Sequence, residues 1–235
     1  MKKWIVLALA LLLIPALVWG WGTVIISGNV TESSGEPTPF WTETFEGSNN
    51  GFDNTPDSYT TNPDYTSYTC DGTDSMEVSN SETVTWTITN SDEIYVSFCL
   101  TVSEVGAFSN MKHRVMRFLD GSSNVIATCC LHKPSPSILN IIVVADGGTG
   151  SSGISINSGV SYKLLIHCKK GTGSDTLIEC WITMDGEFSG SPDISSEDGT
   201  NSNQITKLAV ANAGNYNDTF VEDKIRVYSS KPTNF

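Results

Sequence analysis

The sequence predicts an all-β domain folded as a two-layer antiparallel sandwich or a barrel, and three observations lead there. Apolar residues alternate with polar ones in run after run: Val84, Trp86 and Ile88 against Thr83, Thr85 and Thr87, then Ile94, Val96, Phe98, Leu100 and Val102. A period of two is the signature of strands with one buried face. Turn chemistry separates the runs, at Asn50-Gly51, Asp120-Gly121, Asp185-Gly186 and the glycine-rich stretch 146–153, where such residues supply the backbone freedom that tight turns need. Beyond the first twenty residues no helical periodicity appears, and Thr, Ser, Gly, Asn, Val and Ile dominate the composition.

The elements follow in order. Residues 1–20 read as a cleaved secretory leader: Lys2 and Lys3 begin it, an apolar run follows from Trp4 to Ile14, Pro15 breaks it, and cleavage falls after Gly20. The run is short for a membrane span, so no stable span is expected after cleavage. Residues 21–39 form a linker with one β-like patch, Thr23 to Ile26, that can add an edge strand or pair with a neighbour. Residues 40–235 form the domain. Strands are expected at Trp41 to Glu46, Thr83 to Thr89, Ile94 to Val102, Lys112 to Leu119, Val125 to His132, Ile138 to Ala145, Tyr162 to Cys168, Leu177 to Met184, Ile205 to Ala211 and Phe220 to Tyr228. Long polar loops fall at 47–74 and 189–203.

The formal net charge of −13 excludes a nucleic-acid partner, which needs a basic surface. Six cysteines in an exported chain permit three disulfides, with fifteen pairings open in principle. Cys168 and Cys180 flank one hairpin turn on its inward face and are the best single pair, with small buried thiols as the alternative. Cys129 and Cys130 are adjacent on a strand and point to opposite faces. No Cys or His spacing indicates zinc.

Several segments in sequence order carry a resemblance to the concanavalin A-like lectin and glucanase superfamily in its laminin-G-like form. They are Thr44-Phe45-Glu46-Gly47, Arg117-Phe118-Leu119-Asp120-Gly121, Tyr162-Lys163-Leu164 with Trp181-Ile182-Thr183-Met184-Asp185-Gly186, and Asp223-Lys224-Ile225-Arg226-Val227-Tyr228. The resemblance spans 40–230 and implies a jelly-roll sandwich whose first and last strands lie side by side. It also implies a structural calcium ion at their edge, with Glu46 and Asp223 as ligands, although Lys224 stands where the family often has a second Asp. Oxygen ligands of this kind suit calcium.

The superfamily's catalytic signatures are absent in their usual form. There is no Glu-x-Asp-x-x-Glu strand of the glucanase kind, and no Gln-(Ile/Val)-His or Tyr-x-Lys-x-Gly strand of the alginate-lyase kind. The expectation is therefore a secreted or cell-surface carbohydrate-binding or adhesion module without catalysis. A structural or assembly subunit of the cell surface and a divergent polysaccharide hydrolase or lyase are the alternatives. Basic residues gather on two hairpins: Lys112, Arg114, Arg117 and Lys133 with His132 on one, and Lys163, Lys169 and Lys170 on the other. If the two hairpins adjoin in one sheet they make a basic patch for an anionic glycan, because guanidinium pairs well with carboxylate and sulfate. Arg114, Arg117, His132 and Trp181 are the candidate ligand-binding residues, with Trp41 and Trp181 as stacking platforms. If strand alternation is unbroken from the Asp120-Gly121 turn, Arg114, Met116 and Phe118 share a face with Thr128, Cys130 and His132.

Overall fold

A computed structural model describes residues 35–235 apart from 48–49, 62–69, 71–73, 80, 105–110, 136, 149 and 212–218. The proposed leader and the Thr23 to Ile26 patch lie outside the described residues. Pro37–Phe235 forms one compact unit. Among the described residues it contains no helix, and none therefore that is long and apolar enough to cross a membrane.

The strands are β1 (Trp41–Glu43), β2 (Ser58–Tyr59), β3 (Met76–Val78), β4 (Thr83–Ser91), β5 (Glu93–Glu104), β6 (Met111–Leu119) and β7 (Val125–Ser135). They continue with β8 (Ile138–Ala145), β9 (Ile154–Ile156), β10 (Ser161–Lys169), β11 (Thr176–Thr183), β12 (Ile194–Gly199), β13 (Ile205–Ala211) and β14 (Thr219–Tyr228). Two antiparallel sheets result. The first runs β1-β14-β5-β10-β11-β12, with β3 also on β14; the second runs β2-β4-β13-β6-β7-β8-β9. This is a jelly-roll sandwich. The first and last strands pair, Trp41 opposite Val227 and Glu43 opposite Ile225. The short strands β2, β3, β9 and β12 arise within or beside stretches whose polar composition gives no alternating signal.

The alternating runs meet in one core. Ile94, Val96, Phe98, Leu100 and Val102 of β5, with Leu164, Ile166, Cys168, Ile178 and Cys180, face Val84, Trp86, Phe118, Ile126, Cys129, Leu131, Leu208 and Val210 of the other sheet. An aromatic group closes one end: Trp86 lies edge-to-face with Trp41 at 5.7 Å and with Phe52 at 5.9 Å. Trp41 is thus a packing residue, as Trp on strands commonly is.

Two carboxylates organise the connections. Glu43, fully buried, accepts hydrogen bonds from the backbone N–H groups of Phe45 (3.1 Å), Asp53 (2.7 Å) and Asn54 (2.9 Å), and so shapes the loop after β1. Asp120 accepts from the N–H groups of Ser122 and Asn124 and from the side-chain amide of Asn203, which fixes the β6–β7 turn against the loop before β13. Burial by itself would raise the Asp120 carboxyl; the hydrogen bonds from Asn124, Asn203 and Asn201 bring it down to about 2.

The cysteines pair differently from the sequence expectation. Cys70 is bonded to Cys99, which faces outward on β5, while Cys168 and Cys180 are buried thiols. The register explains this: Cys168 stands opposite Ile178 and Cys180 opposite Ile166, so the two thiols are diagonal neighbours. The closed segment separates its cysteines by 29 residues, and a link of that length stabilises by about 3–4 kcal/mol through the unfolded chain.

One core position is occupied by an acid. Glu222 stands in register with Leu100 on one side and Met76 on the other, is fully buried, and has no hydrogen-bond partner for either carboxyl oxygen. Desolvation pushes its pKa well above the usual carboxylate range. A group raised in this way contributes its stability below the unfolded value and loses it as pH rises toward the folded one. Replacing Glu222 by Met should therefore raise the unfolding free energy at neutral pH by about 1–3 kcal/mol, the usual cost of an unsatisfied buried polar group. It should also lessen the loss of stability on going to alkaline pH. Urea unfolding of both proteins across a pH series checks this, and equal stability at every pH would refute it.

Candidate functional site

The strands of the second sheet turn one row of side chains to the core and the other outward. On β6 this alternation breaks. The register shifts between Arg114, opposite Cys130, and Met116, opposite Cys129, so that Val115 and Met116 are both core residues. Arg114 and Arg117 consequently lie on the same outward face, in line with Cys130 and Thr128. Met116 and Phe118 go inward, contrary to the unbroken alternation expected from the sequence. The bulge is the reason, because two residues of one strand oppose one of its partner. On β7 the outward residues Thr128, Cys130 and His132 stand opposite Val144, Ile142 and Asn140 of β8. Asn140 in turn stands opposite Ser155 of β9, whose hydroxyl donates to Asn140 Oδ1 at 3.0 Å. On the other flank, Arg117 is in register with Ala209 of β13 and Thr85 of β4. Lys207 also lies on this flank and donates to Ser123 Oγ at 2.9 Å.

The outward positions on β4, β13, β6, β7, β8 and β9 hold no carboxylate among the described residues, although Asp57 reaches the β4 edge, where it accepts from Thr87 Oγ1 at 2.7 Å opposite Lys207. The charge of this face is thus positive on a chain whose total is −13. Arg117 is half-buried; burial, reinforced by the neighbouring Arg114, lowers its pKa from the ordinary arginine value. Its Nε is buried with no acceptor. The half-buried Arg117 favours an anion, since its guanidinium then regains the charge-assisted hydrogen bond that burial has removed, and the exposed Arg114 adds a second cation on the same face. Among the described residues one cavity of about 420 Å³ lies between the β6–β7 turn and the loop before β13, and one of about 210 Å³ lies beside Lys133 and Leu139. Neither is lined by Arg114, Arg117 or His132; Arg114 is exposed, Arg117 and His132 are half-buried, and Thr128 and Cys130 beside them are buried.

The structure does not join the remaining candidates to this face. The β10–β11 hairpin belongs to the first sheet, so Lys163, Lys169 and Lys170 do not extend the patch as the sequence allowed. Trp181 is also on the first sheet. It is 6% exposed, its Nε1 donates to the Gly190 carbonyl at 3.2 Å, and Lys231 Nζ sits 4.0 Å above its ring. Its role here is packing with Leu165 and Phe188. The same outer surface carries a cluster that sequence spacing did not reveal. His167 is held between Glu93 (2.8 Å) and Glu179 (2.7 Å) and stacks on Tyr95 at 4.3 Å. Three adjacent strands bring these residues together, and no local motif marks them. Because the imidazole lies between the carboxylates, the group does not converge on a common point.

Glu46 and Asp223 do approach each other. Burial first, and then the charge of Glu46, raise the Asp223 carboxyl to about 6, against the N–H of Cys70, which donates to it at 2.7 Å. Glu46 accepts from the N–H of Asp74 at 2.8 Å. No group of three acidic, imidazole or thiol side chains suited to a metal occurs among the described residues. A cation here would take its remaining ligands from backbone carbonyls and water, which calcium accepts.

No family model and no curated protein matches the chain by sequence. Solved structures match it by shape. The endo-β-1,4-glucuronan lyase from the fungus Trichoderma reesei superposes with a TM-score of 0.55 at 11% identity, covering 84% of this chain and 98% of the lyase. The PL-14 alginate lyase from Aplysia kurodai gives 0.50 at 9% identity, covering 82% and 100%. The botulinum neurotoxin type G receptor-binding domain gives 0.51 at 9% identity, covering 83% of this chain and 48% of that one. These likenesses fix the fold. They also overturn the expectation of a module without catalysis, which rested on missing signatures: in the two lyases the same jelly roll carries out polysaccharide cleavage.

The raised Asp223 gives a pH signature. Its folded value of about 6 exceeds the ordinary 3.8, so the folded chain should lose stability as pH rises from about 4 to about 6, by at most about 3 kcal/mol. Asp223→Asn keeps the acceptor for Cys70 N–H and removes the titration. Thermal unfolding of the variant should be flatter across that window than the parent's; identical profiles would refute the assignment.

Proposed function

We propose that the outward face of the second sheet binds an acidic polysaccharide and cleaves it by β-elimination. The observation that carries this is the meeting of Arg114, Arg117 and His132 on one outward face whose strand positions hold no carboxylate among the described residues, in an otherwise acidic chain. The likeness to two polysaccharide lyases supports the reading, as does the jelly-roll fold. The motif order that resembles the concanavalin A-like superfamily agrees with it, and the Cys70–Cys99 disulfide and the leader-like N-terminus support an exported protein.

The chemistry follows from the groups present. A uronate carboxylate seated on the guanidinium groups has its charge neutralised, which stabilises the carbanion-like state formed when the C5 proton leaves. A neutral His132 imidazole takes that proton. The C4=C5 double bond forms as the C4–O4 bond breaks, and the imidazolium returns the proton to O4 of the departing chain. Cleavage thus needs no water and leaves an unsaturated sugar.

Purified chain incubated with glucuronate, mannuronate and galacturonate polymers should give rising ultraviolet absorbance from the unsaturated product. Arg114→Ala and His132→Ala should each lower the rate by about 10²–10³-fold with unchanged thermal unfolding. Saturable binding without any product would leave a binding module, and neither binding nor product would refute the reading.

We further propose that Glu46 and Asp223 hold a calcium ion that ties the end of β1 to β14. Calcium should raise the midpoint of thermal unfolding, chelator should reverse the rise, and Glu46→Gln should abolish it; an unchanged midpoint would refute the site.

A further inference from the structure

The face is divided, and the division specifies its polymer. Its cations lie on one half: Arg114 and Arg117 on β6 and Lys207 on β13. His132 on β7 stands at the middle. The other half, β8 and β9, contains no charged residue, and from Pro134 to Tyr162 the sequence has no Lys, Arg or His. His132, Asn140 and Ser155 are consecutive in register, so they form one polar row running across three strands. Strands are about 4.8 Å apart, and the row therefore places a group at successive steps along any chain that crosses the strands. Ser155 Oγ already donates to Asn140 Oδ1, which leaves the Asn140 amide NH₂ as the donor for a ligand. Val144, an outward and partly exposed residue of β8 on the same side, supplies aliphatic surface, while Ile142 between is buried.

A carboxylate is matched by the β6 half. The β8–β9 half offers an amide, a hydroxyl and aliphatic carbon, which match sugar hydroxyls, an acetamido group and the C–H face of a pyranose. The outward positions of β8 and β9 hold no cation to receive a second uronate, and Lys133, 3% exposed, lines a cavity with Leu139 and Ile156, which are core residues. Resting on the reading of this face as a polysaccharide-cleaving site, we propose that its substrate is an alternating polymer in which a uronate is followed by an uncharged sugar, and that Asn140 and Ser155 select the uncharged residue. A homopolymer of uronate is the poorer substrate.

Equilibrium binding and product release would be measured with two polymers of equal length. One is a glucuronate homopolymer; the other alternates glucuronate with N-acetylglucosamine. The alternating polymer should bind about tenfold more tightly and be cleaved faster. Asn140→Lys combined with Ser155→Lys should shift the ratio toward the homopolymer. Both positions lie at the surface, so folding should be retained, and thermal unfolding verifies it. Preference for the homopolymer by the parent chain, or a ratio unmoved by the two lysines, would overturn the inference alone. Binding of neither polymer would overturn it together with the reading on which it rests.

Discussion

Arg114 and Arg117 are three residues apart, and an unbroken strand would send them to opposite faces of the sheet. The bulge at Val115 is what allows both to face out while Val115, Met116 and Phe118 remain in the core. Without it one guanidinium would be driven among apolar side chains, at a cost that no local partner could offset. The core and the candidate site therefore depend on the same local irregularity. The apolar residues of β6 require burial on consecutive positions, and the extra residue that satisfies them re-aims the second arginine. Bulges commonly act in this way, shifting a side chain without disturbing the sheet beyond it.

The strand β14 shows the opposite side of that economy. It carries Glu222 inward and Asp223 outward, and both acids are raised above their ordinary range, chiefly by burial. A second bulge follows between Asp223 and Arg226, with Lys224 in the left-handed region at φ 52°. The strand thus concentrates unfavourable terms where it pairs with β3 and β5, just before the residues that pair with β1. The Cys70–Cys99 disulfide and the Glu43 loop cap lie on strands bonded to β14. Covalent and hydrogen-bonding restraints of this kind hold a strand whose own residues oppose burial. A cation between Glu46 and Asp223 would act in the same sense.

Much of the fold was legible because long strands with one buried face write a period of two into the sequence. Ile138–Ala145 and Ile205–Ala211 were read to the residue, and the other long strands to within a few residues. The short strands β2, β3, β9 and β12 were not, since segments of two to six residues paired to a neighbouring strand are too short to write a period and owe their structure to their neighbours. Alternation likewise placed Cys168 and Cys180 on one inward face correctly, but it carries no register, and register decides which inward residues are opposite. The basic residues were legible as two clusters. Which sheet each hairpin joins depends on connections between distant strands, so the separation of Lys163, Lys169 and Lys170 from Arg114 and Arg117 was not. Trp181 failed as a platform for a similar reason: Lys231, which covers its ring, is fifty residues away in sequence.

The charge balance of the whole chain now acquires a role beyond solubility. An acidic polymer approaching a chain with a net charge of −13 is repelled over most of its surface. Repulsion between exposed charges fades beyond about 8 Å at physiological salt, so it acts at the last stage of approach, where orientation is decided. The face of Arg114, Arg117 and Lys207 is then the place where that penalty is reversed. On the proposed reading the polymer takes the face of Arg114, Arg117 and Lys207; the outer face of the first sheet holds Glu93 and Glu179 around His167, together with Lys163 and Arg226 over the Phe235 ring and Lys231 over Trp181. A net acidic chain is thus compatible with an anionic ligand, provided cations are gathered on one surface.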